Sequence, residues 1–214
     1  MTDSLRCYRC DETYPRSAGA RCDCGEPLWF DVDTTYDPAR HADESGLGRY
    51  RGLLPVDELR GLAGAAGGTP LVRTDRLDDV AGCRIWVKDE GEHPTGSFKD
   101  RGSAVGVADA LTRDRAAVGT VSHGNMAMSV AAHAAAADLD CAVLVPADIP
   151  AERLAIIGQY GPAIVRVDGD YGRLYEESLR IGGRLGIDFL NSDVPLRVAG
   201  QKTTTLEIVD AFRP

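Results

Sequence analysis

Pro94-Thr95-Gly96-Ser97-Phe98-Lys99-Asp100-Arg101-Gly102 is the stretch on which the reading of this chain turns. It follows a strand-like run, Cys83-Arg84-Ile85-Trp86-Val87-Lys88, and opens a helix-like run over 98–113. A lysine at a helix mouth, behind a Pro/Gly turn, sits in the positive end of the helix dipole, roughly +0.5 of a charge. That field lowers the affinity of the amine for its proton and favours the neutral form that attacks a carbonyl. The same helix mouth offers free N–H groups to an anion. Spacing alone favours a plainer reading, a surface lysine in an ordinary helix start that Ser97 caps.

An amine nucleophile beside an anion site is the arrangement expected for a Schiff base to pyridoxal phosphate. The nine residues 94–102 resemble the cofactor-lysine motif of the threonine synthases, within the fold-type II pyridoxal-phosphate enzymes. The resemblance implies an α/β core with a parallel sheet and flanking helices, with Lys99 as the catalytic and cofactor-binding amine. Ser97 and Arg101 would support the phosphate of the substrate. Lysine is scarce, which draws attention to each one: only Lys88, Lys99 and Lys202 occur among 24 basic residues.

Two further segments resemble the same family in the same order. Val121-Ser122-His123-Gly124-Asn125 lies between a strand-like run and an Ala-rich helix-like run over 126–137. By its place in the family loop, Asn125 contacts the cofactor 3′-oxygen, while Ser122, His123 and Gly124 hold the substrate carboxylate. Read without the resemblance, this is a βα turn with an Asn cap. His123 and Met126 stand where the family has threonines, which keeps other elimination or replacement reactions on amino acids open; His123 is an acid/base or phosphate-binding residue, or a packed loop residue. The third segment, Asn191 to Thr203, resembles the family's Asn-Ser…Pro-x-Arg-x-x-Gly-Gln-Lys-Thr run. Asn191, Arg197 and Lys202 are anion-binding or packing residues there, mostly structural, with Arg197 the best anion candidate.

The N-terminal residues have a different character. Cys7-x-x-Cys10 and Cys22-x-Cys24-Gly25 are separated by eleven residues. Clustered cysteines without an export signal read as metal ligands before disulfides. Four thiolates around Zn²⁺ would staple a segment too poor in apolar residues to fold alone. Iron, a redox pair or metal-free thiols are the alternatives. Cys83 and Cys141 lie alone in strand-like runs and read as buried core residues.

From residue 83 onward strand-like runs (83–88, 116–122, 141–145, 163–167, 187–190) alternate with helix-like runs (98–113, 126–137, 151–159, 171–185), followed by a last helix over 201–212. That alternation implies βαβ units and a parallel sheet with its ligand site beyond the carboxyl ends of the strands. The expected organisation is a zinc-ribbon-like segment over 1–35, then a connector and the start of a large cofactor-binding domain over 36–102. A small α/β domain follows over 103–195, and a return helix over 196–214. A short helix is expected over Val56–Arg60, and a turn-rich stretch over Gly61–Gly68.

The chain has 214 residues and a net charge of −9, which argues against nucleic acid and anionic membranes as partners, including for the ribbon segment. The acidic, lysine-poor composition fits either solubility in high salt or a bias in base composition. No apolar run approaches membrane-spanning length and no secretory signal is visible, so the cytoplasm is the expected location. The resemblance places a Gly-rich cofactor-phosphate loop later in the family than the segments found here. The expectation is therefore a truncated core: a threonine-synthase-type lyase converting O-phosphohomoserine to threonine and phosphate, incomplete or needing a partner chain, or else a dimer. The alternative is a non-catalytic binding or structural subunit.

Overall fold

In a computed structural model the described residues are 4–32 and 37–213. The expected boundary at 35–36 lies outside them, as do Met1-Thr2-Asp3 and Pro214. The N-terminal segment is a three-stranded antiparallel sheet of β1 (Ser4–Cys7), β2 (Thr13–Pro15) and β3 (Leu28–Phe30), in the order β2-β1-β3. Its core is small: Leu5, Cys7, Cys22 and Leu28, with Tyr14 and Phe30 packed against them.

The connector carries a short helix, α1 (Gly46–Arg49), and several single 3-10 turns. The helix expected over Val56–Arg60 is not formed; the turn falls instead at Gly61–Ala65. Val56 is buried with Leu47, Leu54, Ala63 and Ala66 against the third helix, so tertiary packing overrides local helix propensity here. β4 (Leu71–Arg73) and β5 (Trp86–Lys88) flank α2 (Asp75–Ala81) and pair antiparallel as a separate two-stranded sheet. This corrects the expectation for residues 83–88, which alternate with helices in sequence yet take no part in the parallel sheet. Cys83, ahead of β5, is exposed rather than buried.

The parallel sheet itself has four strands, in the order β8-β7-β6-β9. They are β6 (Ala117–Val121), β7 (Asp140–Pro146), β8 (Ala163–Val167) and β9 (Ile187–Phe189). Alternation along β7 sorts its two faces. Cys141, Val143 and Val145 pack with α4 (Asn125–Ala136) and α5 (Ala151–Gly158), while Ala142 and Leu144 look toward α6 (Tyr171–Leu185) across an open cleft of about 710 Å³. Cys141 is half-buried, and burial pushes its thiol up to about 12, as expected of an inert core cysteine.

The expected single return helix is two. Pro195 opens α7 (Pro195–Gln201), and α8 (Thr203–Phe212) restarts after Lys202. The helix that carries the opening motif, α3 (Lys99–Thr112), crosses α7 where glycines face each other. A Cβ on Gly200 would stand 2.2 Å from the Arg101 carbonyl oxygen, and one on Gly102 3.1 Å from Arg197. Only a missing side chain lets the two helices approach this closely.

Candidate active site

The turn ahead of α3 is built by its own residues. The Gly96 N–H donates to the His93 carbonyl at 2.8 Å, and Gly96 takes φ +72°, the left-handed conformation that favours glycine. Asp100, one residue into the helix, folds back on the turn: it accepts from the Thr95 N–H at 2.8 Å and from Thr95 Oγ1 at 2.6 Å. Burial pushes the Asp100 carboxyl up, but its polar neighbours His133, Ser129 and Thr95 outweigh this and hold it at about 2. The Ser97 hydroxyl is buried and accepts from the Lys99 N–H at 3.3 Å, so it acts as a cap. Lys99 is half-buried, and its Nζ lies 4.3 Å from the centre of the Phe98 ring. Burial, and then the neighbouring Arg197, lower its proton affinity. Among the described residues no carboxylate pairs with this amine.

Arg101 behaves differently from expectation. It is fully buried, and its donors are committed: to Glu90 at 2.8 and 2.7 Å, to Glu207 at 2.6 and 2.9 Å, to Thr203 at 3.0 Å and to Thr69 at 3.1 Å. Lys88 adds a bond to Glu207 at 2.6 Å and another to the Thr69 carbonyl. Burial would push both carboxyls up, but Arg101 and its neighbours hold Glu90 and Glu207 below the usual range. The guanidinium ties α3 and α8 to Thr69 before β4 and Glu90 after β5, and has no donor left for a substrate phosphate. The assignment of Arg101 to substrate is therefore corrected to a structural one.

The second segment closes β6. Tyr171, at the start of α6, donates to the Val121 carbonyl at 2.8 Å. Asn191 is fully buried; its Oδ1 accepts from the Val121 N–H at 2.9 Å and its Nδ2 donates to Ser178 at 2.9 Å. The backbone on which Ser122 to Asn125 stand is thus pinned from two sides. Beyond it the loop is open. The Gly124 N–H donates to Ser122 Oγ at 3.2 Å, Gly124 and Asn125 are exposed, and a Cβ on Gly124 would meet nothing within 4 Å. No side chain caps the N-terminus of α4. His123 is half-buried, and Met126 packs into the core with Val107 and Val130.

The crossing of α3 on α4 sets where the two segments stand. Ser103 Oγ meets Ser129 Oγ at 2.6 Å, and Asp100 approaches His133 Nε2 at 3.7 Å. Lys99 therefore starts its helix about two turns along α4 from Asn125. No hydrogen bond joins Lys99 to residues 122–125 among the described residues.

Residues 62–214 match the family described as pyridoxal-phosphate dependent enzyme. The chain belongs to that family. It is 42% identical over 173 residues to the threonine synthase of Mycobacterium leprae, covering 78% of this chain and 47% of that protein. It is 36% identical over 215 residues to the threonine synthase of Methanocaldococcus jannaschii, covering 96% of this chain and 53% of that protein. The chain spans about half the length of the curated relatives it matches. Among solved structures it is similar to a threonine deaminase from T.th., with a TM-score of 0.57 and 33% identity over 66% of this chain and 45% of that one. It is also similar to O-ureido-L-serine synthase, with a TM-score of 0.61 and 25% identity over 72% of this chain and 51% of that one.

For a pyridoxal-phosphate enzyme the residues present fit one end of the cofactor. Among the described residues Lys99 supplies an amine free of ion pairs, and α4 begins uncapped at the exposed Gly124 and Asn125. Sequence reasoning missed the supporting groups: Asp100 with His133 behind the turn, and Tyr171 beneath the loop. An acid one residue after the lysine and a polar histidine in an Ala-rich helix were the available signals.

The four N-terminal cysteines converge. Their Sγ atoms all lie within 4.8 Å of one another, with separations of 3.6, 3.5 and 3.8 Å for the pairs 7–24, 10–22 and 10–24. A disulfide needs about 2.05 Å, so none of these pairs is bonded. A tetrahedron with Zn–S bonds of about 2.3 Å has edges of about 3.8 Å, which these spacings match. Asp11 (φ +59°) and Gly25 (φ +89°) supply the left-handed turns after each pair. The segment is docked rather than free: Arg16 reaches Asp109 on α3 and the Pro55 carbonyl, and Arg21 pairs with Asp193 ahead of α7. None of the described helices is long and apolar enough to cross a membrane.

Proposed function

We propose that this chain carries the lysine-bearing half of a threonine-synthase-type lyase, acting on O-phosphohomoserine to give threonine and phosphate. One observation carries the reading: Lys99 presents a half-buried amine of lowered proton affinity, free of carboxylates, at a helix mouth. The identity to threonine synthases supports the substrate class. Bound here, pyridoxal phosphate supplies an electron sink for charge that develops at the substrate's α carbon. Lys99 would hold the cofactor and would move protons at Cα and Cβ of the substrate. Asn125 would offer its amide to the cofactor. Ser122, His123 and Gly124 bind the substrate carboxylate with N–H and side-chain donors, and Ser97 supports Lys99 from beneath. Phosphate leaves the γ carbon and water adds at Cβ.

The partner we propose is a chain equivalent to the remaining half of the relatives. Val72 and Val87 pair across β4–β5 and are 46% and 42% exposed, an apolar face that such a chain would cover. For the N-terminal segment we propose structural zinc on Cys7, Cys10, Cys22 and Cys24, whose Sγ atoms all lie within 4.8 Å of one another. The test is cofactor uptake by the chain mixed with its complementing half, followed by phosphate release from O-phosphohomoserine. Wild type takes up the cofactor with a visible absorbance band and Lys99→Ala does not. Equal uptake by both proteins removes Lys99 from its role.

A further inference from the structure

We propose that Arg197 is a positioning residue for Lys99, a buried cation that grips the Lys99 carbonyl and holds the Lys99 amine toward its uncharged form. The inference rests on the reading of Lys99 as nucleophile. Arg197 is fully buried. Its Nη2 donates to the Lys99 carbonyl at 3.1 Å and its Nη1 to Ser103 Oγ at 2.9 Å, while Nε is buried with no partner. Among the described residues no carboxylate comes within ion-pairing distance. A buried guanidinium without an acid is costly, and residues of similar volume without charge pack such sites at less cost. Its location compounds the cost, because a cation beside the first turn of α3 opposes the positive end of that helix.

The arrangement is nevertheless specified on both sides. Gly102 and Gly200 carry no side chain, and this lets α7 press its arginine against the start of α3. The other charged groups here are accounted for. Asp100 attracts Arg197 but spends its oxygens on Thr95, with His133 of α4 behind it. Arg101 is neutralised by Glu90 and Glu207. Lys202, at the α7–α8 junction, is itself held down to about 8 by burial and adds no negative charge. What remains next to Lys99 is a positive charge that no carboxylate pairs with directly among the described residues and that the charge of Asp100 offsets only in part, in a medium that screens poorly. Like charge disfavours the protonated amine, and the direction found for Lys99 agrees.

The test uses the 214-residue chain without cofactor. With only three lysines, ¹³C reductive methylation gives few resonances, and the Lys99 signal is identified by its loss in Lys99→Arg. Its pH titration is then compared in wild type, Arg197→Met and Arg197→Lys. Removing the charge in Arg197→Met raises the Lys99 midpoint by about one pH unit. Arg197→Lys keeps the charge and stays near wild type, and the Lys202 midpoint stays in place throughout. If Arg197→Met does not fold, Arg197→Gln, which retains hydrogen bonding without charge, makes the same comparison. An unmoved Lys99 midpoint overturns the proposal. So does an equal rise in the Met and Lys variants, which assigns the effect to packing. Because no cofactor is present, neither outcome depends on whether the chain binds pyridoxal phosphate.

Discussion

Glu207→Leu tests whether Arg101 is the fastening of this half-domain. The Glu207 carboxylate accepts from Arg101 at 2.6 and 2.9 Å, from Lys88 at 2.6 Å and from the Gly68 N–H at 2.8 Å. Its loss leaves Arg101 with one acid instead of two. Lys88 keeps only the Thr69 carbonyl, and a backbone N–H is left unpaired. Breaking a buried ion network from one side costs about 3–5 kcal/mol. A domain of this kind is stable by about 5–15 kcal/mol, so roughly a fifth or more of the stability is at stake. With a urea slope of about 2 kcal/mol/M, the midpoint falls on the order of 2 M. Trp86 reports the event, since its ring stands edge-on to Phe212 of α8 at 5.3 Å. The chain has two tryptophans, so the measurement is made in a Trp29→Phe background. A midpoint shift under about 0.5 M at unchanged slope would refute the reasoning and return Arg101 to the pool of residues available to substrate.

The other predictions concern pH and metal. Asp100 is held at about 2 in the folded chain, against about 3.9 unfolded. A depressed carboxyl stabilises the fold above its unfolded pKa and loses that contribution as pH falls through the folded value. The unfolding free energy from urea titrations should therefore drop between about pH 4 and pH 2 by roughly 2 kcal/mol, and Asp100→Asn should flatten that slope. Chelation of zinc should unfold the N-terminal sheet, releasing the Arg16 and Arg21 contacts to α3 and α7, with a thiol titration rising by four cysteines per chain. Cys10→Ser should halt metal uptake without altering the far-UV signal of the parallel sheet.

Much of the fold is legible because local signals agree with tertiary structure. The runs at 116–122, 141–145, 163–167 and 187–190 became the four parallel strands, since β-branched stretches separated by amphipathic helices leave few other arrangements. Pairing direction is not a local property. Residues 83–88 read as one more strand of the same series, but only the partner at Leu71–Arg73 makes them antiparallel. The split of the last helix at Lys202 escaped for a similar reason. Gly200 and the threonines after it weaken a helix without placing its break; Thr203 turns its hydroxyl to the Gly200 carbonyl at 2.7 Å and takes a bond from Arg101.

The placement of Lys99 at a helix start, and of residues 122–125 between β6 and α4, was legible through their motifs. Charged residues within those motifs were not, because a sequence does not say whether an arginine looks outward to a ligand or inward to an acid. Arg101 finds its acids 11 residues upstream at Glu90 and 106 residues downstream at Glu207. Arg197 finds none. The best anion candidate of the third segment is sealed in the interior, and Asn191 is spent on Val121 and Ser178.

The central claim is that Lys99 is the amine that holds pyridoxal phosphate. Borohydride reduction of the complemented enzyme with bound cofactor, followed by peptide mass mapping, tests it directly, because the only other lysines of the chain are Lys88 and Lys202. The account predicts a single reduced adduct on the peptide containing Lys99. An adduct on Lys88 or Lys202, or none on this chain, would contradict it.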